Sequence, residues 1–256
     1  MRHPFLFQMA TMTISNLSNF AVATAGAVLA LAATTSIGAK SAQAAQITAT
    51  LTADNHYGLY YGQANGDGLT FVGRNELGSS GAPGAFNWSL PEQFNFNVDA
   101  GDYLYVLAWD TALTQSWIGE FQLPNGSSLL SNTSDWEYFV SSEDNPAFLG
   151  GNLPSIGTVA SDISSATWAT PQASAPQGSD PWGIIPGVSL SAQFVWHDTL
   201  VDNSSSDNHY VIFRTRNSVV PPEAVPEPAS VFGLLAIGVL GFGSVLKKKL
   251  RPCNKV

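Results

Sequence analysis

The histidine and serine side chains that could carry out chemistry are scattered along this sequence. The central part of the chain contains His56, His197 and His209, and none of them has the His-x-His or His-Glu-x-x-His spacing of a zinc site. The run Gly78-Ser79-Ser80-Gly81 lacks the Gly-x-Ser-x-Gly spacing of a nucleophile elbow. The sequence therefore gives no motif for metal-dependent or serine-based hydrolysis.

Three carboxylates, Glu92, Glu120 and Glu137, could in principle act as a pair on a glycosidic bond. Acidic side chains on the solvent-facing sides of strands are the norm in an acidic protein, so this interpretation is favoured. We therefore predict that the chain is not an enzyme, and we keep a carbohydrate-active enzyme with dispersed acidic residues as the least favoured alternative.

Oxygen-rich turns are candidates for calcium, which binds carboxylate and carbonyl oxygens. The turn that contains Asp202 and Asp207 is one of them, although its spacing is not that of an EF-hand loop. Solvated turn residues are the favoured interpretation, so we predict no cofactor and no metal, with calcium as the alternative.

Aromatic side chains near polar loops suggest saccharide binding. The apolar faces of sugars stack on indole rings, while Asp, Asn and Gln bind the hydroxyl groups. The alternative for each tryptophan is that it fills the core or caps one of its ends. The sequence assigns Trp109 and Trp196 to the core. The candidates for saccharide contact are Trp88, Trp117, Trp136 and Trp182.

The formal net charge of −9 excludes one class of partner. Between residues 45 and 222 the basic residues are Arg74, Arg214 and Arg216. A nucleic-acid backbone needs a basic surface, so we expect no nucleic-acid partner. The single cysteine, Cys253, lies near the C-terminus, so the central region has no disulfide.

Residues 45–218 show the two-residue period of half-buried strands. In Gln46–Ala53 the apolar residues alternate with threonines, and Asp102–Asp110 is apolar on both faces, as in a central strand. Further strands are predicted at 57–61, 69–72, 93–98, 117–123, 135–140, 190–197 and 209–216. A short helix is predicted over Ser161–Ala169, with Ser161 or Asp162 as its N-cap.

Many short strands separated by turns predict an all-β domain, a single β-sandwich or jelly roll, in which more than half of the ordered residues are strand. The runs Ala53-Asp54-Asn55-x-Tyr57 and Val98–Asp110, followed by Trp117-Ile118-Gly119-Glu120, resemble galactose-binding-like jelly rolls. The segments 194–197 and 210–214 resemble strands that usually come first in that fold. Their late position implies a permutation or a chance similarity of β-patterns.

The N-terminus reads as a secretory leader. A small and apolar run covers Phe20–Ala33, and Ala42-x-Ala44 fits the small-residue rule of signal peptidase. We predict cleavage after Ala44, which makes residues 1–44 a signal peptide; an uncleaved helix is the alternative.

The C-terminus reads as a membrane anchor. Residues 229–246 carry no charge, and a helix of that length would measure about 27 Å at about 1.5 Å per residue. That nearly matches a hydrocarbon core of roughly 30 Å. The basic cluster of the predicted cytoplasmic tail, residues 247–256, would stop transfer. It consists of Lys247, Lys248, Lys249 and Arg251. Residues 219–228 are predicted to be a stiff, proline-rich stalk.

Pro226-Glu227-Pro228, the apolar span and the basic end together resemble the PEP-CTERM sorting signal of bacterial envelope proteins. The same kind of tail is also called an ice-binding protein C-terminal domain, a name that describes the tail and does not establish ice binding. The resemblance implies that exosortase, a membrane protease, cuts near the Pro-Glu-Pro triplet, and that the body is then released or attached at the surface.

The sequence therefore predicts an exported protein of the cell envelope or outer surface, held transiently in the inner membrane by one C-terminal span. Its predicted partners are signal peptidase and exosortase, with exopolysaccharide as a further candidate. Its predicted role is that of a surface or extracellular-matrix component that binds exopolysaccharide. The alternative is a purely structural surface protein without a specific ligand.

Overall fold

The computed structural model describes residues 44–75, 87–111, 113–146, 151–201 and 208–222. Of these residues, 46% are in strands and 8% in helix, which confirms the all-β class. The strand content is below the predicted half, because residues 177–192 form a long segment without regular structure.

The described residues contain eleven antiparallel strands and one α-helix, joined by turns and irregular segments. In chain order they are β1 Ala45–Asp54, β2 His56–Gly62, β3 Thr70–Arg74, β4 Glu92–Val98, β5 Tyr103–Trp109, β6 Ser116–Gln122, β7 Ser128–Leu130, β8 Trp136–Asp144, α1 Ile156–Ser165, β9 Ala173–Pro176, β10 Gln193–Trp196 and β11 His209–Thr215.

The strands form two sheets. The first has the order β4–β1–β6–β10–β9, with β7 added to β6, and the second has the order β3–β2–β5–β11–β8. The main core lies between them, because both sheets contribute fully buried side chains to one cluster, such as Leu51 and Phe121 from the first and Val106 and Phe213 from the second. Two packed antiparallel sheets agree with the predicted sandwich.

The strand β5 is central, as its two apolar faces predict. Leu104, Val106 and Ala108 point into the core between the sheets. Tyr105 and Trp109 point the other way, against Val159 and Ile163 of α1 and their neighbours. The helix therefore covers the outer face of the second sheet, which explains why both sides of β5 are apolar.

The outer face of the first sheet around β6 and β10 is covered by the irregular segment 177–192. Trp182 and Ile185 of this segment pack on Ile118 and Phe194. The Gln177 side chain holds the segment together: its Nε2 donates to the Val188 carbonyl at 2.7 Å, and its Oε1 accepts from Ile185 N at 3.1 Å. Backbone groups without sheet partners are thereby satisfied.

Other sequence predictions are confirmed. The apolar residues of β1 from Ile47 to Ala53 are buried in the main core. The strands β2 and β3 pair as the predicted hairpin, with Tyr61 opposite Thr70. Gly66 in the connecting turn has a φ of +84°, and a Cβ there would come within 2.8 Å of the Ala160 carbonyl oxygen of α1. Glycine is therefore required both by the turn and by the close approach of the helix.

The helix prediction is wrong in position. The helix α1 begins about a turn earlier than expected, and its N-cap is Ser155, whose Oγ accepts from Thr158 N at 3.1 Å. Ser161 and Asp162 are interior positions of α1. The Asp162 carboxylate instead accepts a hydrogen bond from Ser141 Oγ at 2.7 Å, so a tertiary contact explains this residue.

The prediction that a free stalk begins at residue 219 is wrong. Val219 is buried against the main core, and its N–H donates to the Asp102 carbonyl at 2.8 Å. The chain is therefore attached to the body beyond residue 218, and residues 223–228 lie outside the described ranges. No helix among the described residues is long and apolar enough to cross a membrane. The predicted span 229–246 and residues 1–43 of the predicted leader 1–44 lie outside those residues.

Candidate functional site

The most distinctive polar cluster lies at one end of the sandwich, where β1 passes into β2. The register pairs Asp54 with Ser116 and His56 with Trp109, so the end of β1 meets the start of β6 and the end of β5. We call the polar group at this place the Asp54 network. It comprises Asp54, Asn55, Asn75, Thr111, Thr114 and Trp182.

The Asp54 carboxylate is buried, with 6% of the residue exposed. Its Oδ2 accepts hydrogen bonds from Trp182 Nε1 and Thr114 Oγ1, each at 2.8 Å. Its Oδ1 accepts from Asn55 Nδ2 at 2.8 Å. Burial raises the pKa of Asp54 above its usual 3.8, and the three hydrogen bonds offset part of that rise.

Asn55 and Asn75 extend the network to neighbouring loops. The Asn55 Oδ1 accepts from Thr111 N at 2.7 Å, and the Asn55 carbonyl accepts from Asn75 Nδ2 at 2.8 Å. The Asn75 Oδ1 in turn accepts from Tyr57 N at 3.1 Å. These amide groups are bound to one another and to the backbone, so the network fixes the positions of loops from both sheets.

The three candidate carboxylates are not brought together. Glu92 is buried and lies 3.5 Å from Tyr57 Oη. Glu120 is on the outer face of the first sheet, where Ser128 Oγ donates to it at 2.9 Å and Ser189 N at 2.8 Å. Glu137 is opposite Arg214 in the second sheet and forms an ion pair with it. Each carboxylate therefore has a separate set of partners.

Arg214, the partner of Glu137, also contacts two aromatic rings and a turn. Its guanidinium lies 4.0 Å from the ring centroid of Trp168 and 5.2 Å from that of Tyr103. It also donates to the Ala64 carbonyl at 2.6 Å. The arginine thus joins the β2–β3 turn to the segment after α1, a structural role.

The three histidines lie apart. His56 stacks on Trp109 with ring centroids 5.1 Å apart. His197 Nδ1 is 2.7 Å from Asp198 Oδ1. Burial lowers the pKa of His197 below its usual value, and the nearby Asp198 carboxylate offsets part of that decrease. His209 Nδ1 is 2.9 Å from the Glu143 carbonyl oxygen. Within the described ranges, no group of three or more His, Cys, Asp or Glu residues could hold a metal ion.

Three of the four tryptophans predicted to bind saccharide are buried. Trp117 and Trp136 are 0% exposed and form an edge-to-face pair in the main core, with centroids 4.7 Å apart. Trp182 is 3% exposed; it stacks on Phe194 and donates to Asp54. A buried indole has no face for a sugar, so this structure assigns the three residues to packing. The alternation around Trp117, with Phe121 on the same side of β6, already indicated a core position.

Trp88 differs from the other three. It is half-buried and packs at the edge of the cluster formed by Trp182 and Phe194. It lies in a turn in which Asn87 Oδ1 accepts from Ser89 N at 3.1 Å and from Ser89 Oγ at 2.7 Å. The turn leads into β4 at the same end of the sandwich as the Asp54 network, because Glu92 pairs with Leu51 near the end of β1.

The other predicted site residues lie mainly outside the described ranges. These are Ala42, the calcium candidates Asp202 and Asp207, the triplet Pro226-Glu227-Pro228 and the basic cluster 247–251. Ala44 is described and exposed, and β1 begins at the following residue.

One comparison with known families identifies a functional segment. A family model described as the PEP-CTERM protein-sorting motif matches residues 224–248. The chain carries this motif, which indicates a protein that is exported and sorted by exosortase, a membrane protease, to the cell envelope or surface. No curated protein and no solved structure was found to match the chain.

Proposed function

We propose that this chain is a non-enzymatic component of the bacterial cell surface or extracellular matrix, exported as a precursor and processed at both ends. Signal peptidase removes residues 1–44, and residues 229–246 anchor the precursor transiently in the inner membrane. Exosortase then cuts near Pro226-Glu227-Pro228. The observation that carries the proposal is the sorting motif at 224–248, which begins two residues after the described body ends at Pro222.

The arrangement of the body supports this division of roles. The strand β1 begins at Ala45, the residue that would become the new N-terminus. The docked residue Val219 and the sorting motif leave little chain between the body and the cleavage region.

The engagement of the acidic residues supports a non-enzymatic role. Glycoside hydrolysis needs two carboxyl groups on either side of one bond, about 5 to 10 Å apart. Glu120 and Glu137 lie in different sheets and are each bound by other side chains. The Asp54 carboxylate accepts three hydrogen bonds from its own network, so it is well placed to stabilise the loops.

Exopolysaccharide binding is a second candidate function, and Trp88 is the residue that favours it. Its partly exposed indole lies beside Asn87 and Ser89, whose polar groups suit sugar hydroxyls. This candidate is compatible with the resemblance of the sequence to galactose-binding-like jelly rolls. Calcium at Asp202 and Asp207 would be part of the same proposal.

Replacing Pro226-Glu227-Pro228 by three alanines tests the main proposal in the native cell. The variant should accumulate as an uncleaved, membrane-bound precursor, detected by its size and by its presence in the membrane fraction. The matched control replaces Pro221 and Pro222 by alanine, because these prolines lie just outside the motif match. Normal processing of the triplet variant would contradict the proposed sorting.

A further inference from the structure

The last described residues of the chain leave the body at a fixed place. After β11 the chain returns to the turn between β4 and β5, where Val219 N donates to the Asp102 carbonyl and Gly101 N donates to the Val220 carbonyl, both at 2.8 Å. The Val219 side chain is 8% exposed and packs on the main core. We call residues 99–102 with 219–220 the exit clasp.

A second set of hydrogen bonds holds the turn of the exit clasp. The Asp102 carboxylate accepts from Gln63 Nε2 at 2.7 Å and from Asp99 N at 2.8 Å. Gln63 directly follows β2, so the clasp is attached to the β2–β3 hairpin as well as to β4 and β5. The exit point is therefore part of the folded body.

The exit clasp and the Asp54 network lie at opposite ends of β1. At one end of this strand Ala45 pairs with Val98, which leads directly into the clasp turn. At the other end Asp54 pairs with Ser116. Ten residues at about 3.4 Å each give β1 a length of about 34 Å.

The segment between the clasp and the predicted span is shorter than the sandwich is long. Residues 221–228 separate Val220 from Ala229, and eight residues of any conformation reach at most about 29 Å, at no more than about 3.6 Å per residue. If the Asp54 end faced the membrane, residues 221–228 would have to run from the membrane surface along the full length of β1, about 34 Å, to reach the exit clasp. Its reach is too short for that.

We infer that the anchored precursor keeps the exit clasp nearer to the membrane than the Asp54 network, which is at the end of the body farther from it. This orientation rests on the proposed membrane anchor. It makes the Asp54 end, with its exposed Leu90 and Val201 and the half-buried Trp88, the surface that the precursor presents to the outside.

Energy transfer from a fluorescent label to the membrane measures this orientation. The full chain is produced in a bacterium without exosortase, carries Cys253→Ser, and receives one new cysteine at either end. Thr70→Cys places it at the start of β3, near the clasp end, and Leu90→Cys places it before β4, near the Asp54 end. Both positions are exposed.

Each variant is reconstituted into phosphatidylcholine vesicles that contain an acceptor-labelled lipid. It is then labelled with a membrane-impermeant fluorescent maleimide, so that only outward-facing molecules carry the donor. Equal urea midpoints for the two variants show that both retain the fold. Vesicles without the acceptor lipid give the reference fluorescence.

We expect both variants to float with the vesicles, and we expect energy transfer to be several-fold stronger from position 70 than from position 90. Flotation with equal transfer, or with stronger transfer from position 90, would overturn the orientation and leave the anchor intact. Failure to float would overturn the anchor itself, and the orientation with it.

Discussion

At the scale of single residues, Asp54 shows how a carboxylate is accommodated where water is largely excluded. Desolvation favours its protonated form, while Trp182, Thr114 and Asn55 donate hydrogen bonds that favour the charged form. The net direction is a raised pKa, so the folded state binds a proton at Asp54 more tightly than the unfolded state does.

This shift predicts a pH dependence of stability. Below pH 3.8 Asp54 is protonated in both states, and the stabilising contribution of protonation is fully present. As the pH rises from 3.8 through the higher folded-state pKa, that contribution is lost. Wild type should therefore lose stability over this range relative to Asp54→Asn, which does not titrate there.

Urea unfolding of both proteins across this pH range measures the difference. Burial also raises the pKa of Asp102, but that residue is present in both proteins and its contribution cancels in the comparison. A difference that stays constant, or that moves in favour of wild type as the pH rises, would contradict the assigned shift.

Substitution of single tryptophans distinguishes a residue that packs in the core from one that is available to bind a ligand. Trp117→Ala should lower the free energy of unfolding by about 3–5 kcal/mol, because it empties a fully buried site between the sheets. Trp88→Ala should cost clearly less, because its ring is only half-buried.

Variants of Trp88 test saccharide binding. If Trp88 stacks on a sugar, Trp88→Ala should weaken retention on exopolysaccharide isolated from the native cells, and Trp88→Phe should retain part of it. Affinity electrophoresis measures the retention. Equal retention of Trp88→Ala and wild type would remove the second candidate function.

At the scale of elements, the N-terminus of α1 could not be located from the types of residue favoured at an N-cap. Ser155, Ser161 and Asp162 are all residue types favoured at an N-cap. The apolar positions Val159 and Ile163 pack on the second sheet, and this packing sets the register of the helix. Sequence alone does not contain that contact.

Substitution of the two serines distinguishes the observed cap from the predicted one. Ser155→Ala should destabilise the protein by about 0.5–2 kcal/mol, because Thr158 N loses its acceptor. Ser161→Ala, at an exposed interior position, should be neutral or slightly stabilising, since alanine has the higher helix propensity. Thermal unfolding of both variants measures this, and the reverse order would place the N-terminus of α1 at Ser161.

The strands were more predictable than the helix. A two-residue period of apolar side chains is sufficient to locate β1 and to show that β5 is central. The strands β7 and β9 were missed because they are short, and β9 ends in a proline at the edge of its sheet. Strands of this length give too few alternations to detect.

At the scale of the whole molecule, the sequence alone was most informative about the tail. The predicted sorting signal rests on three features adjacent in the chain, so no tertiary contact is needed to recognise it. The Asp54 network could not be predicted, because its members lie between residues 54 and 182 and meet only through the pairing of the strands. The exit clasp was missed because the proline-rich pattern after Val219 resembles a free linker.

Intact mass spectrometry of the protein from native cells, with membrane and medium analysed separately, tests the central claim most directly. We predict a mature chain that begins near Ala45, retains Val219 and Val220 of the exit clasp and ends near Pro226, with any excess mass reporting an attached group. A mature mass that still includes residues 246–256 would contradict processing by exosortase and leave a simple tail-anchored surface protein.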